Sequence, residues 1–273
     1  MSDPHLFGVV NLTADSFSDG GRYLDPGAAI AHARALAGAG AAVIDLGAAA
    51  SNVMAKPVDP AEEIRRLEPV IAALAKDGIA ISVDSFRPEV QRFAIARGVA
   101  FLNDIQGFPD AAVYPELAAA KCRLVVMHAV QQGGRAQQVA LSADAIWHRI
   151  QEFFAARLAA LGRAGIARER LILDPGMGFF LSSRPEASLR VLAGLGRLKR
   201  AFGLPVLVSV SRKSFLRALT GRAVTELGAA TLAAELYAAA AGADFIRTHD
   251  PGALADGLKV TRALRAAAAG LGK

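Results

Sequence analysis

What this chain of 273 residues has least of narrows the field first. It holds one cysteine, Cys122, so an internal disulfide framework is excluded and a reducing, cytoplasmic setting is expected. That thiol reads as a small buried strand residue. No apolar run approaches the ~18 residues of a membrane-spanning helix. The opening MSDPHLFGVV lacks the basic-then-apolar pattern of an export signal, so no membrane partner is expected. Aromatics make up 6% of the residues and do not interleave with Lys or Arg. The net charge is +6, yet the basic residues sit among carboxylates, as in EEIRRLEP, and never form a run. These features argue against nucleic acid and for a small anionic substrate. Also missing are GxGxxG, GxxxxGK[ST] and the GxSxG elbow, which removes the local signatures of dinucleotide binding, a P-loop and a serine hydrolase.

What is present has a regular beat. Short apolar runs occur at LFGVV (6–10), AVIDL (42–46), IAISVD (79–84), AFLND (100–104), CRLVVMH (122–128), LILDP (171–175), PVLVSVS (205–211) and DFIRTH (244–249). Continuous apolar runs of this length indicate strands buried on both faces, as parallel sheets require. Helical periodicity fills the gaps. Three helical stretches open with Asp-Pro, at Asp25-Pro26, Asp59-Pro60 and Asp250-Pro251, where aspartate suits the cap and proline the first turn. Asp59 with Glu62 resembles a capping box. Eight strand–helix units in ~250 residues predict a (β/α)8 TIM barrel, a single domain over 1–273, with an open doubly wound sheet as runner-up. The stretch AVQQGGRAQQ (129–138) is expected to be a surface loop.

In a barrel the active site forms where the strands end. Here they end in Asn11, Asp45, Asp84, Asn103-Asp104, Met127-His128, Asp174, Ser211-Arg212-Lys213-Ser214 and Arg247-Thr248-His249. Any one polar residue could be a turn former; eight of eight point to a site. Strands seven and eight bring Arg212, Lys213, Arg247 and His249, suited to an anion. Strands three, four and six bring Asp84, Asn103 and Asp174, which suit a heterocycle with several N–H donors. No Cys/His set has metal-ligand spacing, and His128 and His249 form no nucleophilic triad. Trp147 and Phe153-Phe154 read as core.

The stretches NLTADSFSDGG, VIDLG, SVDSF, LNDIQG, VVMH, LDPGMGF, SRKSF and RTHD occur in the order found in dihydropteroate synthases, and the chain resembles that family along nearly its whole length. The resemblance implies an enzyme of folate biosynthesis, a transferase that condenses 6-hydroxymethyl-7,8-dihydropterin pyrophosphate with p-aminobenzoate and releases pyrophosphate. It further implies that Asn11 helps hold a Mg²⁺–pyrophosphate, under a loop with Thr13, Asp15 and Ser16. Asp84, Asn103 and Asp174 would bind the pterin edge, with Lys213 donating to its ring and Met127 packing nearby. Arg247 would line the pterin and, with His249, bind pyrophosphate, while Ser211 and Lys213 border p-aminobenzoate. A homodimer is the family's usual state. Rival readings are a catalytically silent pterin-binding protein and a methyl-folate-dependent methyltransferase.

Two departures from ordinary members stand out. After the second strand the chain reads AAASNVMAKPV (48–58), with Ser51 at the family threonine, Asn52 at its arginine, and Lys56 as a possible substitute charge. After LDPG it carries Phe179-Phe180. Both features resemble the sulfonamide-insensitive Sul-type synthases. An added aromatic, Phe179 or Phe180, would obstruct a bulky sulfonamide and spare a flat carboxylate.

Overall fold

A computed structural model describes residues 3–13, 25–49, 57–130 and 140–271. Ser51, Asn52, Lys56, Asp15 and Ser16 lie outside those residues, as does most of 129–138. The eight apolar runs form eight parallel strands: β1 (His5–Asn11), β2 (Val43–Gly47), β3 (Ile81–Asp84), β4 (Phe101–Asp104), β5 (Arg123–Met127), β6 (Leu171–Asp174), β7 (Leu207–Val208) and β8 (Phe245–Thr248). The strand order is β6-β5-β4-β3-β2-β1-β8-β7, and a parallel bridge between Leu173 and Val206 brings β6 back to β7. The expected barrel is therefore present, closed at its weakest seam by that bridge and by Leu173 N–H donating to Pro205 O at 2.9 Å.

The ladder of β7 is far shorter than the run 205–211 suggested. Pro205 has no N–H to donate, and beyond Val208 the chain turns, with Lys213 N–H donating to Val210 O (3.2 Å) and Arg212 at φ 57°. Those turns carry Ser211 and Lys213 to the rim.

Around the barrel run α1 (Pro26–Gly38), α2 (Pro60–Lys76), α3 (Pro88–Ala96), α4 (Tyr114–Ala119), α5 (Ala143–Arg163), α6 (Pro185–Ala193), α7 (Leu195–Phe202), α8 (Ser214–Thr220), α9 (Gly228–Ala240) and α10 (Pro251–Leu271). The sequence suggested one helix per connection. Instead the link from β6 to β7 is divided at Gly194, and the link from β7 to β8 at Gly221, whose left-handed φ of 69° caps α8. All three Asp-Pro starts cap as expected. Asp25 accepts from Ala28 N (2.8 Å), Asp59 from Ala61 N (2.8 Å) and Asp250 from Ala253 N (3.0 Å). The capping box at Asp59 is only half made, because Glu62 turns to pair with Arg65 and Arg66. Arg66 in turn donates to Leu12 O and Ala48 O, tying the ends of β1 and β2 together.

The lower barrel interior is a plug of Phe7, Val43, Phe101, Val125, Ile172, Leu207 and Phe245. Phe7 meets Phe101 and Phe245 edge-on at 5.0 and 5.6 Å, and Arg123 stacks over the latter two rings. Side chains alternate along a strand, so residues two further on face the same interior. Those residues include Asp45, Asn103, Met127, Asp174, Ser209 and Arg247. An apolar floor thus gives way, one layer up, to a polar one. Outside the strands, the main core packs the helices' apolar stripes, with Phe154 and Trp147 buried in it.

Candidate active site

That polar layer opens into a cleft of ≈340 Å³ at the C-terminal ends of the strands. Asp84, Asn103, Met127, Asp174, Lys213 and Arg247, all anticipated from the strand ends, line it together. Asn11 ends β1 on the same rim, opposite Gly47 of β2. A Cβ on Gly47 would lie 3.8 Å from Asn11 Oδ1 and 3.9 Å from Asp84 Cβ, so the amide and the carboxylate share one edge. Ser211 and His249 also meet at the rim, Oγ to Nδ1 at 2.9 Å. Phe180 lines the cleft, whereas Phe179 is half-buried in a cluster with Ile105, Met127 and Phe180.

Charge inside the cleft is organised around Arg247. Its guanidinium pairs with the fully buried Asp45 at 2.5 Å and with Asp84 at 3.0 Å. Burial raises the Asp84 carboxyl above the ordinary carboxylate range, and the charge on Arg247 opposes that shift. Asp174 is raised to about 6 by burial, against the Gly176 N–H it accepts at 2.8 Å. Burial, helped by the like charge of Arg247, lowers Lys213 to about 8, while Asp174 and Asp84 hold it up. Lys213 Nζ sits 5.1 Å from the centre of the Phe180 ring, a cation–π contact that steadies the ammonium between the carboxylates and the apolar wall.

Asn103 Oδ1 is buried without a hydrogen-bond partner. Native structures seldom leave such an acceptor unused, and here it faces the cleft. Behind it, Asp104 accepts from Gln106 N (2.7 Å) and Gln91 Nε2 (2.9 Å), and Gln91 also donates to Ser85 O. Ser85 N–H donates to Asn103 O (3.0 Å), so this network braces the ends of β3 and β4 against each other.

The turn after β6 is built by close backbone approach. Gly176 has φ 74°, and a Cβ there would stand 2.4 Å from His128 O. His128 is buried, with Nδ1 3.1 Å from Pro175 O, and burial lowers its imidazole to about 4. The neutral ring therefore donates to that carbonyl. The unfolded chain takes up a proton near 6.5 and the folded one only near 4. This contribution to stability is thus full above pH 6.5 and is lost as pH falls towards 4. Replacing His128 with asparagine keeps an N–H donor and removes the titration. Relative to the variant, the parent protein is expected to lose about 3 kcal/mol between pH 7.5 and 4, read from urea denaturation at the two pH values. Parallel pH profiles would refute the neutral, buried imidazole.

Sequence reasoning noted Asp45 as a strand end but gave it no place in the site, and it did not single out Ile105, Met177 or Ser209, which also line the cleft. The alternation from the floor residues upward is the signal that finds Asp45 and Ser209. Ser51, expected to bind substrate, lies outside the described residues.

Comparison with known proteins agrees with this geometry. The family described as pterin binding enzyme matches residues 7–249. Dihydropteroate synthase type-2 of Escherichia coli is 61% identical over 260 residues, which span 95% of this chain and 96% of that protein. The structure of Xanthomonas albilineans dihydropteroate synthase with 4-aminobenzoic acid matches with a TM-score of 0.87 at 37% identity, over 97% of this chain and 94% of the other. The same enzyme in complex with 7,8-dihydropteroate matches with a TM-score of 0.81 at 34% identity, over 97% and 94%. A polar layer of carboxylates, amide and cations on an apolar barrel floor is thus found in a chain that belongs to the pterin-binding enzymes and, within them, to the dihydropteroate synthases, which join 6-hydroxymethyl-7,8-dihydropterin pyrophosphate to p-aminobenzoate.

Proposed function

We propose that the cleft binds the pterin through Asp174, Asn103 and Asp84, with the pyrophosphate lying towards Asn11, Arg247 and His249. The unpartnered Asn103 Oδ1 carries this reading, because it stands ready for an N–H donor on a flat ring. Asp174 supplies a carboxylate for two parallel N–H groups, and Met127 and Ile105 supply apolar contact. Lys213 donates to the ring from its seat over Phe180. Ser211 and Lys213 border the p-aminobenzoate.

The reaction is a displacement with dissociative character. The C–O bond to pyrophosphate breaks with its electron pair leaving on oxygen, and the pterin-stabilised methylene cation is attacked by the arylamine nitrogen. That nitrogen then gives up a proton to solvent. Cationic groups at the rim favour the departing anion, and buried carboxylates favour the cation left behind. No protein nucleophile takes part. Among the described residues no cluster of three or more His, Cys, Asp or Glu side chains could hold a metal. A Mg²⁺ that keeps its waters and phosphate oxygens needs few protein ligands, and the half-buried Asn11 amide oxygen fits that demand. When bound, Mg²⁺ would neutralise charge on the pyrophosphate.

The fold supports a single domain over 1–273, since one sheet takes its strands from residues 5 to 248. A cytoplasmic location fits the lone buried thiol of Cys122. Large apolar residues left exposed on α8, α9 and α10 (Leu219, Tyr237, Val260 and Leu264) suit pairing of two copies. Insensitivity to sulfonamides would follow from obstruction beside the cleft. Phe180 is already engaged by Lys213, which leaves Phe179 as the ring in the drug's way.

One assay tests both parts of the reading. Purified protein with dihydropterin pyrophosphate, p-aminobenzoate and Mg²⁺ should release pyrophosphate, and binding without release would favour the silent pterin-binding protein. In the same assay Phe179→Ala is expected to lower the sulfonamide concentration for half inhibition by about tenfold or more, on the scale of one removed steric block. Unchanged inhibition would end the obstruction idea.

A further inference from the structure

α9 has an unusual inner face. Its buried residues are Thr231, Glu235 and Ala238, so two of the three side chains it sends into the core are polar. An inward helix stripe is ordinarily apolar, and Glu235 is only 1% exposed, deep enough for its charged form to be strongly disfavoured. Neither residue lines the cleft. Each contacts instead one of the two rim segments that carry the cations.

Thr231 Oγ1 accepts the Arg212 backbone N–H at 3.1 Å. Arg212 sits between Ser211 and Lys213 with φ 57°, a left-handed conformation that is unfavourable for an L-residue and needs support. Its neighbour Ser211 meets His249 twice, Oγ to Nδ1 at 2.9 Å and as acceptor from His249 N–H at 3.3 Å. Next to His249, Thr248 Oγ1 accepts from Asp250 N–H at 3.2 Å. The Thr248 hydroxyl also lies beside the buried Glu235 carboxyl, one helical turn beyond Thr231, and Glu235 Oε1 has no hydrogen-bond partner. The path is closed: from α9 through Arg212, Ser211, His249 and Thr248 back to α9.

We propose that Thr231 and Glu235 are positioning residues that hold the two cationic rim segments in register, so that Arg247 and His249 face one pyrophosphate. The proposal rests on the assignment of that end of the site to pyrophosphate. Glu235 acts in the circuit as an uncharged acid. Burial pushes its carboxyl up to about 8, with the nearby Asp250 raising it further and the Thr248 hydroxyl opposing. Glutamine can therefore replace it in shape and charge, and leucine in shape alone.

The test compares Glu235→Leu, Glu235→Gln and Thr231→Val, each as the full chain. Calorimetry with inorganic pyrophosphate and Mg²⁺ is combined with KM for each substrate. Glu235→Leu and Thr231→Val should weaken pyrophosphate by about tenfold or more, the usual scale for groups that orient a ligand's contacts. KM for p-aminobenzoate, which Ser211 and Lys213 border, should rise clearly less than pyrophosphate affinity falls, and Glu235→Gln should bind pyrophosphate within about twofold of the parent. Pyrophosphate binding unchanged in folded Glu235→Leu and Thr231→Val would overturn the proposal. So would an equal loss for both substrates, which marks general loosening. If Glu235→Leu does not fold, Thr231→Val decides alone, since it exchanges a hydroxyl for a methyl. If the parent protein fails to bind pyrophosphate, the assignment of the rim falls and this inference falls with it. Tight parent binding that the variants share overturns only the inference.

Discussion

Arg247→Met is expected to cut kcat/KM by about 10³-fold or more and to cost about 3–5 kcal/mol of stability. The two effects have one cause. Arg247 is the cation between Asp45, fully buried, and Asp84, largely so, and Asp174 contributes a third carboxylate to the same cleft. Without the guanidinium, Lys213 would be left with Asp174 and Asp84, and Asp45 would stay buried without its ion pair. Breaking a buried pair is costly because the partner charge stays behind, and here two partners stay behind. Asp84, already raised by burial, would lose the charge that opposes that shift and hold its proton to still higher pH. Its folded-state pKa would then exceed the unfolded one by a wider margin, so relative to the parent the variant should recover stability as pH falls and lose it as pH rises. Arg247→Lys separates charge from geometry. An ammonium restores one positive charge but cannot span both carboxylates as a planar fork does. It should regain part of the stability and little of the rate. Urea denaturation and pyrophosphate release on the same preparations provide the comparison. Arg247→Met within about 1 kcal/mol of the parent would mean that the pair contributes no net stability.

The barrel was legible because a parallel sheet buried on both faces leaves long apolar runs, and because the Asp-Pro starts cap their helices locally. The positions of Asp84, Asn103, Asp174, Lys213 and Arg247 were legible for a related reason: polar residues closing such runs have one rim to occupy. Pairings across the chain were not legible. Asp45 meets Arg247 over a separation of 202 residues, and nothing beside either residue announces the other. The shortness of β7 was hidden in the same way, since the apolar run continues through 210 while the hydrogen-bond ladder stops at Val208. Glu235 is one polar residue in an alanine-rich helix, and nothing in the adjacent sequence announces its burial. Which phenylalanine lines the cleft depended on the short 3₁₀ turn Gly178–Phe180, whose phase adjacent aromatics do not encode.

Asp174→Asn is expected to abolish most pterin recognition while making the unliganded protein more stable. The carboxylate is 2% exposed, and burial has raised it to about 6, so keeping it ionised at pH 8 costs the empty enzyme about 2–3 kcal/mol. The sign follows from the direction of the shift. The folded state holds the proton to higher pH than the unfolded state does, so the penalty is absent in acid, grows from about pH 4 to 6, and is constant above. Asparagine removes that penalty and can still accept the Gly176 N–H now bound at 2.8 Å. It cannot serve the ligand. An aminopyrimidinone edge presents two N–H donors side by side, and the amide would answer one of them with its own N–H. A charge-assisted hydrogen bond is lost and two donors are left facing each other, a combined cost of about 3–5 kcal/mol, or roughly 10²–10⁴-fold in kcat/KM for the pterin substrate. Denaturation of the unliganded protein at pH 8 and pH 4 tests the first half, with the stability gap present at the higher pH and closed at the lower. Steady-state kinetics test the second, with the loss confined to the pterin and absent from KM for p-aminobenzoate. An Asp174→Asn protein less stable than its parent at pH 8 would show that the surrounding N–H groups already compensate the buried charge. A protein that gains stability as it loses its substrate would place the cost of the empty cleft at the atom where the pterin is read.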